Sequence, residues 1–209
     1  MAEVLTLGDI NGFMTSNIEF LKENHIYLIE GIIVPSVTQI LQKIFPNKYK
    51  NINSKILEKK SIFGTIGHAI IEHLDISNSD IVEKTISSIQ NKDLEVCIRE
   101  YVRLCQKFKI EPLEHEKRVS YKYLYAGTLD LIADVDGIES LIDIKFTYKL
   151  DKEYLSWQLG MYALALGKEF KKYYCVWLPK RQLGQLVEIV PKTKEEILKK
   201  LKELGIWTC

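Results

Sequence analysis

Three residues that can do chemistry, Asp130, Asp143 and Lys145, fall within one stretch, Gly127 to Lys145, that reads GTLDLIADVDGIESLIDIK. Residues 127–135 alternate, with Thr128, Asp130, Ile132 and Asp134 on one side and Leu129, Leu131, Ala133 and Val135 on the other, which is strand periodicity. Asp136-Gly137 follows, the dipeptide that favours a two-residue type I′ turn. Residues 138–146 alternate again, setting Leu141, Asp143 and Lys145 against Ile142, Ile144 and Phe146. A two-residue turn pairs Val135 with Ile138. The same register sets Asp130 across from Asp143, about 4.5–5.5 Å apart at Cβ, and Thr128 across from Lys145. Opposed carboxylates are destabilising unless a cation lies between them or one holds a proton. A divalent metal with Lys145 beside it satisfies that demand. The alternative is an amphipathic hairpin with a solvated acidic face, against which stand the depletion of aspartate in strands and the apolar flanks.

The elements around the hairpin can be placed in order. A short helix is expected around Ser16–Lys22, and His25–Val34 reads as two short strands about Glu30-Gly31. Ser36 starts a helix through a capping box with Gln39 and stops before Pro46. The loop PNKYKNIN, residues 46–53, holds Tyr49 between Lys48 and Lys50, a ring that either stacks on a nucleic-acid base or lies in a solvated loop. Residues 54–75 read as a helix carrying Gly64, Gly67, His68 and Glu72, with His68 and Glu72 one turn apart. Glycines inside a helix cost about 1 kcal/mol each against alanine, so two of them point to a close approach of backbone or ligand. His68 is either a metal ligand or a core histidine. Helices follow at 80–90 and 92–109, then a strand from Glu114 to Tyr125, in which Glu116 either approaches the site or, as the favoured reading, is a solvated charge. A helix over 152–166 carries Gln158 and Tyr162 on one face, 171–178 and 184–190 are strands, and Thr193 caps a last helix over 194–204.

Composition bounds the rest. The chain has 209 residues, 46% of them hydrophobic, with a formal net charge of +1. That suffices for one domain with a sizeable core. The segment 43–60 holds six lysines (43, 48, 50, 55, 59 and 60) against Glu58, and 168–181 holds Lys168, Lys171, Lys172, Lys180 and Arg181 against Glu169. Two such segments in a neutral protein suggest a local polyanion surface, or else ordinary solvated lysine. No apolar run reaches about 18 residues, so no membrane partner is expected. No Lys or Arg precedes Lys22, which argues against a signal peptide and for a cytoplasmic location. Cysteines 97, 105, 175 and 209 match neither a zinc nor an iron–sulfur spacing and are expected as reduced thiols.

The ordered motifs G-T-x-x-H at 64–68, G-x-x-D at 127–130, D-x-K at 143–145 and Q-x-x-x-Y at 158–162 resemble the PD-(D/E)XK nuclease superfamily, in its RecB-like exonuclease branch with viral and phage-type members. Val34-Pro35-Ser36-Val37-Thr38 is similar to the lead-in of phage-encoded members. The resemblance implies an α/β restriction-endonuclease-like core: a central mixed sheet flanked by helices, in the order αβββαβ, over about 54–178. A helical insertion at about 78–110, an N-terminal extension 1–53 and a C-terminal strand and helix over 184–209 would complete a single nuclease domain. It implies catalytic roles for His68, Asp130, Asp143, Lys145, Gln158 and Tyr162, and Mg²⁺ or Mn²⁺ held by His68, Asp130, Asp143 and the Ile144 carbonyl, with no iron–sulfur cluster. Gln158, Tyr162, Lys48, Tyr49 and Lys50 would contact nucleic acid. The expected activity is hydrolysis of DNA, at single strands or ends, in replication, recombination or repair, exonuclease rather than endonuclease. The expected partners are DNA and a second copy or replication and recombination proteins, in the host-cell cytoplasm if the source is viral. The alternatives are a non-catalytic nucleic-acid-binding module on the same fold, or a structure-specific endonuclease acting as a dimer.

Overall fold

The computed structural model describes residues 17–21, 25–48, 50 and 52–207. These form an α/β architecture with a mixed five-stranded sheet, a separate three-stranded antiparallel sheet and six helices. The small sheet is β1 (Ile18–Leu21), β2 (Ile26–Ile29) and β3 (Ile32–Val34), in sequential order. The strand at Ile18–Leu21 replaces the helix expected there: it pairs Phe20 with Tyr27 and Ile18 with Ile29, so cross-strand apolar pairing outweighs a weak helical tendency. Ser16, its expected cap, lies outside the described residues.

Helix α1 (Val37–Ile44) opens on the expected capping box, with Ser36 Oγ accepting from Gln39 N and Gln39 Oε1 accepting from Ser36 N. Helix α2 (Ser54–His73) carries His68; α3 (Ser79–Ser88) and α4 (Lys92–Phe108) follow, each started by an asparagine cap. The main sheet is β4 (Ile110–Tyr121), β5 (Tyr125–Val135), β6 (Ile138–Lys145), β7 (Lys172–Trp177) and β8 (Gln185–Glu188), in that spatial order. Helix α5 (Lys152–Leu166) makes the crossover that lets β7 run parallel to β6, and every other neighbouring pair is antiparallel. Helix α6 (Lys194–Glu203) ends the described chain behind a Thr193–Glu196 capping box. None of these helices is long and apolar enough to cross a membrane.

The period of two along each strand splits the core between the two faces of the sheet. Leu141 and Cys175 join α1, α5 and α6 in one cluster; Ile142 and Val176, their chain neighbours, join α2 and α4 in the other. The hairpin turn is as expected, with Asp136 at φ +52° and Gly137 at φ +85°, the pair of positive values a type I′ turn demands. Val135 pairs with Ile138. The preceding strand differs from expectation. It starts at Ile110 and ends at Tyr121, and a tight turn with Lys122 at φ +51° reverses it into β5 at Tyr125. The residues KYL carry no Gly or Asn to announce that turn.

The two α2 glycines stand in different surroundings. A Cβ on Gly67 would fall 2.4 Å from Phe146 Cζ, whereas one on Gly64 would meet nothing within 4 Å. Alanine gains about 1 kcal/mol over glycine inside a helix, and overpacking costs about 1–3 kcal/mol. Gly64→Ala should therefore raise stability in urea unfolding and Gly67→Ala should lower it. Equal effects from the two substitutions would show that Phe146 does not press on α2.

Candidate functional site

The β4–β5 ladder shifts register between Pro112 and Glu114, and the main sheet is interrupted again around Asp130. The β5–β6 ladder stops at Leu131–Ile142, and the β4–β5 ladder pairs His115 with Leu131 and Lys117 with Leu129 but gives Glu116 and Asp130 no cross-strand partner. Glu116 takes φ +45°, a left-handed conformation that a non-glycine side chain adopts only when its surroundings enforce it. The expected direct pairing of Asp130 with Asp143 is therefore not continued by the backbone. The Asp130 carboxylate instead accepts the Ile144 N–H, 2.7 Å from Oδ2, in place of a ladder carbonyl.

Glu116 and Asp130 stand opposite each other in the register their neighbours define, and both reach His68 of α2. His68 Nδ1 lies 3.8 Å from Asp130 Oδ2 and 3.8 Å from Glu116 Oε1. One ligand atom from each of these three residues lies within 4.8 Å of the others, a separation that a metal ion can bridge. His68 thus faces carboxylates from the sheet rather than only Glu72 one turn on, although Glu72 lines the same cleft. Its ring is braced edge-on by Phe146, at 5.6 Å and 71° between ring planes. Glu116, which the sequence presents as a solvated charge, is a member of the cluster and is half-buried. Burial first, then the neighbouring Asp130 and Glu72 charges, push its pKa up to about 7.

Asp143 lies outside that group of three. It is 1% exposed, and Lys145 Nζ stands 2.8 Å from both of its oxygens. Lys145 donates to Oδ1, and Oδ2 is buried with no hydrogen-bond partner. The cation that the sequence demanded beside this carboxylate is thus supplied by the chain itself. Burial opposes the Lys145 charge, but the Asp143 and Asp130 carboxylates outweigh that and hold the ammonium protonated. Burial likewise raises the Asp143 carboxyl, against the pull of Lys145.

Helix α5 forms another wall. Gln158 and Tyr162 are buried, line the cleft, and face each other, with Gln158 Nε2 3.4 Å from the Tyr162 hydroxyl. Gln158 Oε1 is buried without a partner. Burial and the Asp130 charge keep the Tyr162 phenol protonated, so it can donate. A Cβ on Gly127 would meet the Tyr162 ring at 2.9 Å, which is why the strand can pass so close.

The basic segments part company. Lys168, Lys172 and Lys180 pair with Glu139, Glu188 and Asp93, so the second segment is largely neutralised. In the first, Lys48 bridges to Asp151, the N-cap of α5, and sits 3.6 Å over the Tyr154 ring. Lys43, Lys50, Lys55, Lys59 and Lys60 are exposed, and Lys60 lines the cleft. Tyr49 lies outside the described residues. Cys97, Cys105 and Cys175 are buried free thiols, Cys209 lies outside the described residues, and burial raises Cys97 to about 11 and Cys105 to about 12.

No protein-family model matches the chain, and no curated protein does. Among solved structures, the crystal structure of SSO0001 superposes with a TM-score of 0.43 at 14% identity, over 83% of this chain and 75% of that one.

The Glu116 environment has a direct thermodynamic consequence. Its carboxyl binds a proton more tightly folded than unfolded, where the ordinary value is 4.5. Its contribution to stability is therefore present below about pH 4.5 and is lost as pH rises through about 7. In EDTA, Glu116→Gln should be more thermostable than the parent at pH 8, by about 2–4 °C per kcal/mol relieved, and should lose that advantage at pH 4.5. The same offset at both pH values would place Glu116 in solvent.

Proposed function

We propose that the chain is a metal-dependent nuclease with a restriction-endonuclease-like core, hydrolysing phosphodiester bonds of DNA at single strands or ends. The observation that carries this is the convergence of His68, Glu116 and Asp130 in one cleft, beside a buried Asp143–Lys145 pair. The element order α2, β4, β5, β6, α5, β7 supports the same core. The donor set fits Mg²⁺ or Mn²⁺: carboxylate oxygens and one imidazole suit these ions better than soft metals. Asp143 is buried and already carries the Lys145 ammonium 2.8 Å from Oδ2, so it would join the ion's ligands only while sharing that charge. His68, Glu116, Asp130 and Asp143 would hold the ion, which when bound polarises a phosphate and acidifies a coordinated water.

The remaining work falls to the chain. Lys145, held protonated by its two aspartates, acts as a fixed positive charge against the charge that develops on the phosphate oxygens. Its protonation makes it a poor proton acceptor. Glu116, which burial and neighbouring carboxylates push up to about 7 without an ion, would give up its proton when a divalent ion takes that place. Gln158 and Tyr162 orient the strand by hydrogen bonds from a rigid helix. The exposed lysines of 43–60 supply contacts to the phosphate backbone.

End-labelled linear and circular DNA, single- and double-stranded, digested with Mg²⁺, Mn²⁺ or EDTA, tests the proposal. Cleavage should require the ion, and Lys145→Ala should lower the rate about 10²–10³-fold while leaving most DNA binding. Binding without cleavage in any metal would instead make the chain a nucleic-acid-binding module. Replacing Lys55, Lys59 and Lys60 by alanine should flatten the salt dependence of binding by roughly 0.7–0.9 per lost contact. An unchanged slope would return that surface to ordinary solvation.

A further inference from the structure

The cleft does not end at the carboxylates. Its volume is about 460 Å³, and its far wall is built by Phe20, His25 and Tyr27 of the small sheet. Phe20 and Tyr27 are cross-strand partners with stacked rings, 4.6 Å between centroids and 28° between planes. His25 stands edge-on to both, at 5.2 Å and 89° to Phe20 and at 5.9 Å and 88° to Tyr27. Tyr27 is buried, and its hydroxyl lies 2.9 Å from Thr128 Oγ1, two residues before Asp130. The small sheet is further fixed to β5 by the Ala126 N–H donating to Pro35 O at 3.1 Å and by Tyr27, Ile29 and Val34 packing on Ala126. The aromatic wall and the carboxylate cluster are therefore one rigid unit.

Two of these rings are not fully buried. His25 is exposed and holds φ +51°, a conformation that an L side chain adopts at a cost. Phe20 is half-buried with one edge toward the cleft mouth. An exposed imidazole on an aromatic pair, opposite a cation-binding and phosphate-compatible end, fits a flat, polar-edged ring attached to a phosphodiester. The volume lies at the low end of the roughly 300–1,000 Å³ of sites that take one small unit, so a single nucleotide enters rather than a base pair.

We infer that the exposed His25 ring and the open side of Phe20, braced from behind by the buried Tyr27, form a nucleobase-stacking wall that receives one unpaired base beside the phosphate held at His68, Glu116 and Asp130, and so restricts the substrate to single strands or frayed ends. This rests on the nuclease reading and names its substrate class. Stacking reads no sequence, because every base has a π-face, so the wall would be indifferent to base identity.

A single-stranded oligodeoxynucleotide carrying 2-aminopurine at each of the terminal positions in turn tests it, with the full chain and Ca²⁺ to allow binding without turnover. Binding should quench the fluorophore at one position, and a blunt duplex with the same label should show no such quench. Phe20→Ala and His25→Ala should abolish the quench and weaken binding about 5- to 150-fold, with the loss in Mg²⁺ assays falling on KM. His25→Phe should restore both, which a merely misfolded or structural defect would not allow. Variants that melt like the parent yet keep its quench and its KM would overturn the stacking wall and leave the nuclease standing. A parent chain that neither cleaves nor binds any DNA would overturn the nuclease, and the wall with it.

Discussion

The structure depends on one missing pair of backbone hydrogen bonds. Where β5 should pair on both sides, Asp130 pairs on neither, and its carboxylate accepts the Ile144 N–H that a strand carbonyl would otherwise take. Buried amides must find partners, so this substitution of side chain for main chain is what allows the sheet to open without an orphaned donor. The opening admits His68 from one direction and Glu116 from the other. It also leaves β6 free to continue alone to Lys145, supported by β7 rather than by β5.

Charge then sorts itself by burial. The deepest carboxylate, Asp143, takes the Lys145 ammonium, while Asp130 takes an N–H donor and Glu116 is left with carboxylate neighbours. The three acids consequently differ although each is a carboxylate in the same cleft. One is neutralised by a fixed lysine, one is hydrogen-bonded and near an imidazole, and one titrates near neutrality. Such separation of environments is how a site assigns different duties to like groups.

Much of this was legible from residue order. Period-two alternation with Asp136-Gly137 fixed the β5–β6 hairpin to the residue, because a two-residue type I′ turn leaves no freedom in counting. Ser36 and Thr193 marked helix starts because short polar side chains at those places satisfy the first amides. Glu116 was missed for a definite reason. The β4–β5 turn over Lys122, Tyr123 and Leu124 has no glycine or asparagine, so the register that sets Glu116 beside Asp130 could not be counted from sequence. The halt of the β5–β6 ladder at Leu131 was equally invisible, since it arises from a side chain replacing a backbone acceptor. The strand at Ile18–Leu21 depended on a partner strand, and tertiary pairing overrides local propensity there.

Helix α5 is buried on every side from Tyr154 to Ala163, which is unusual for a helix that presents polar groups to a cleft. Gln158 and Tyr162 therefore surrender their rotamer freedom when the protein folds, not when a ligand arrives. The entropic cost of orienting them is met in advance, together with the enthalpic cost of leaving Gln158 Oε1 without a partner. Selection for thermal resistance alone would drive position 158 toward an apolar side chain of similar volume, so the polar group that stands there is retained against the interest of the fold.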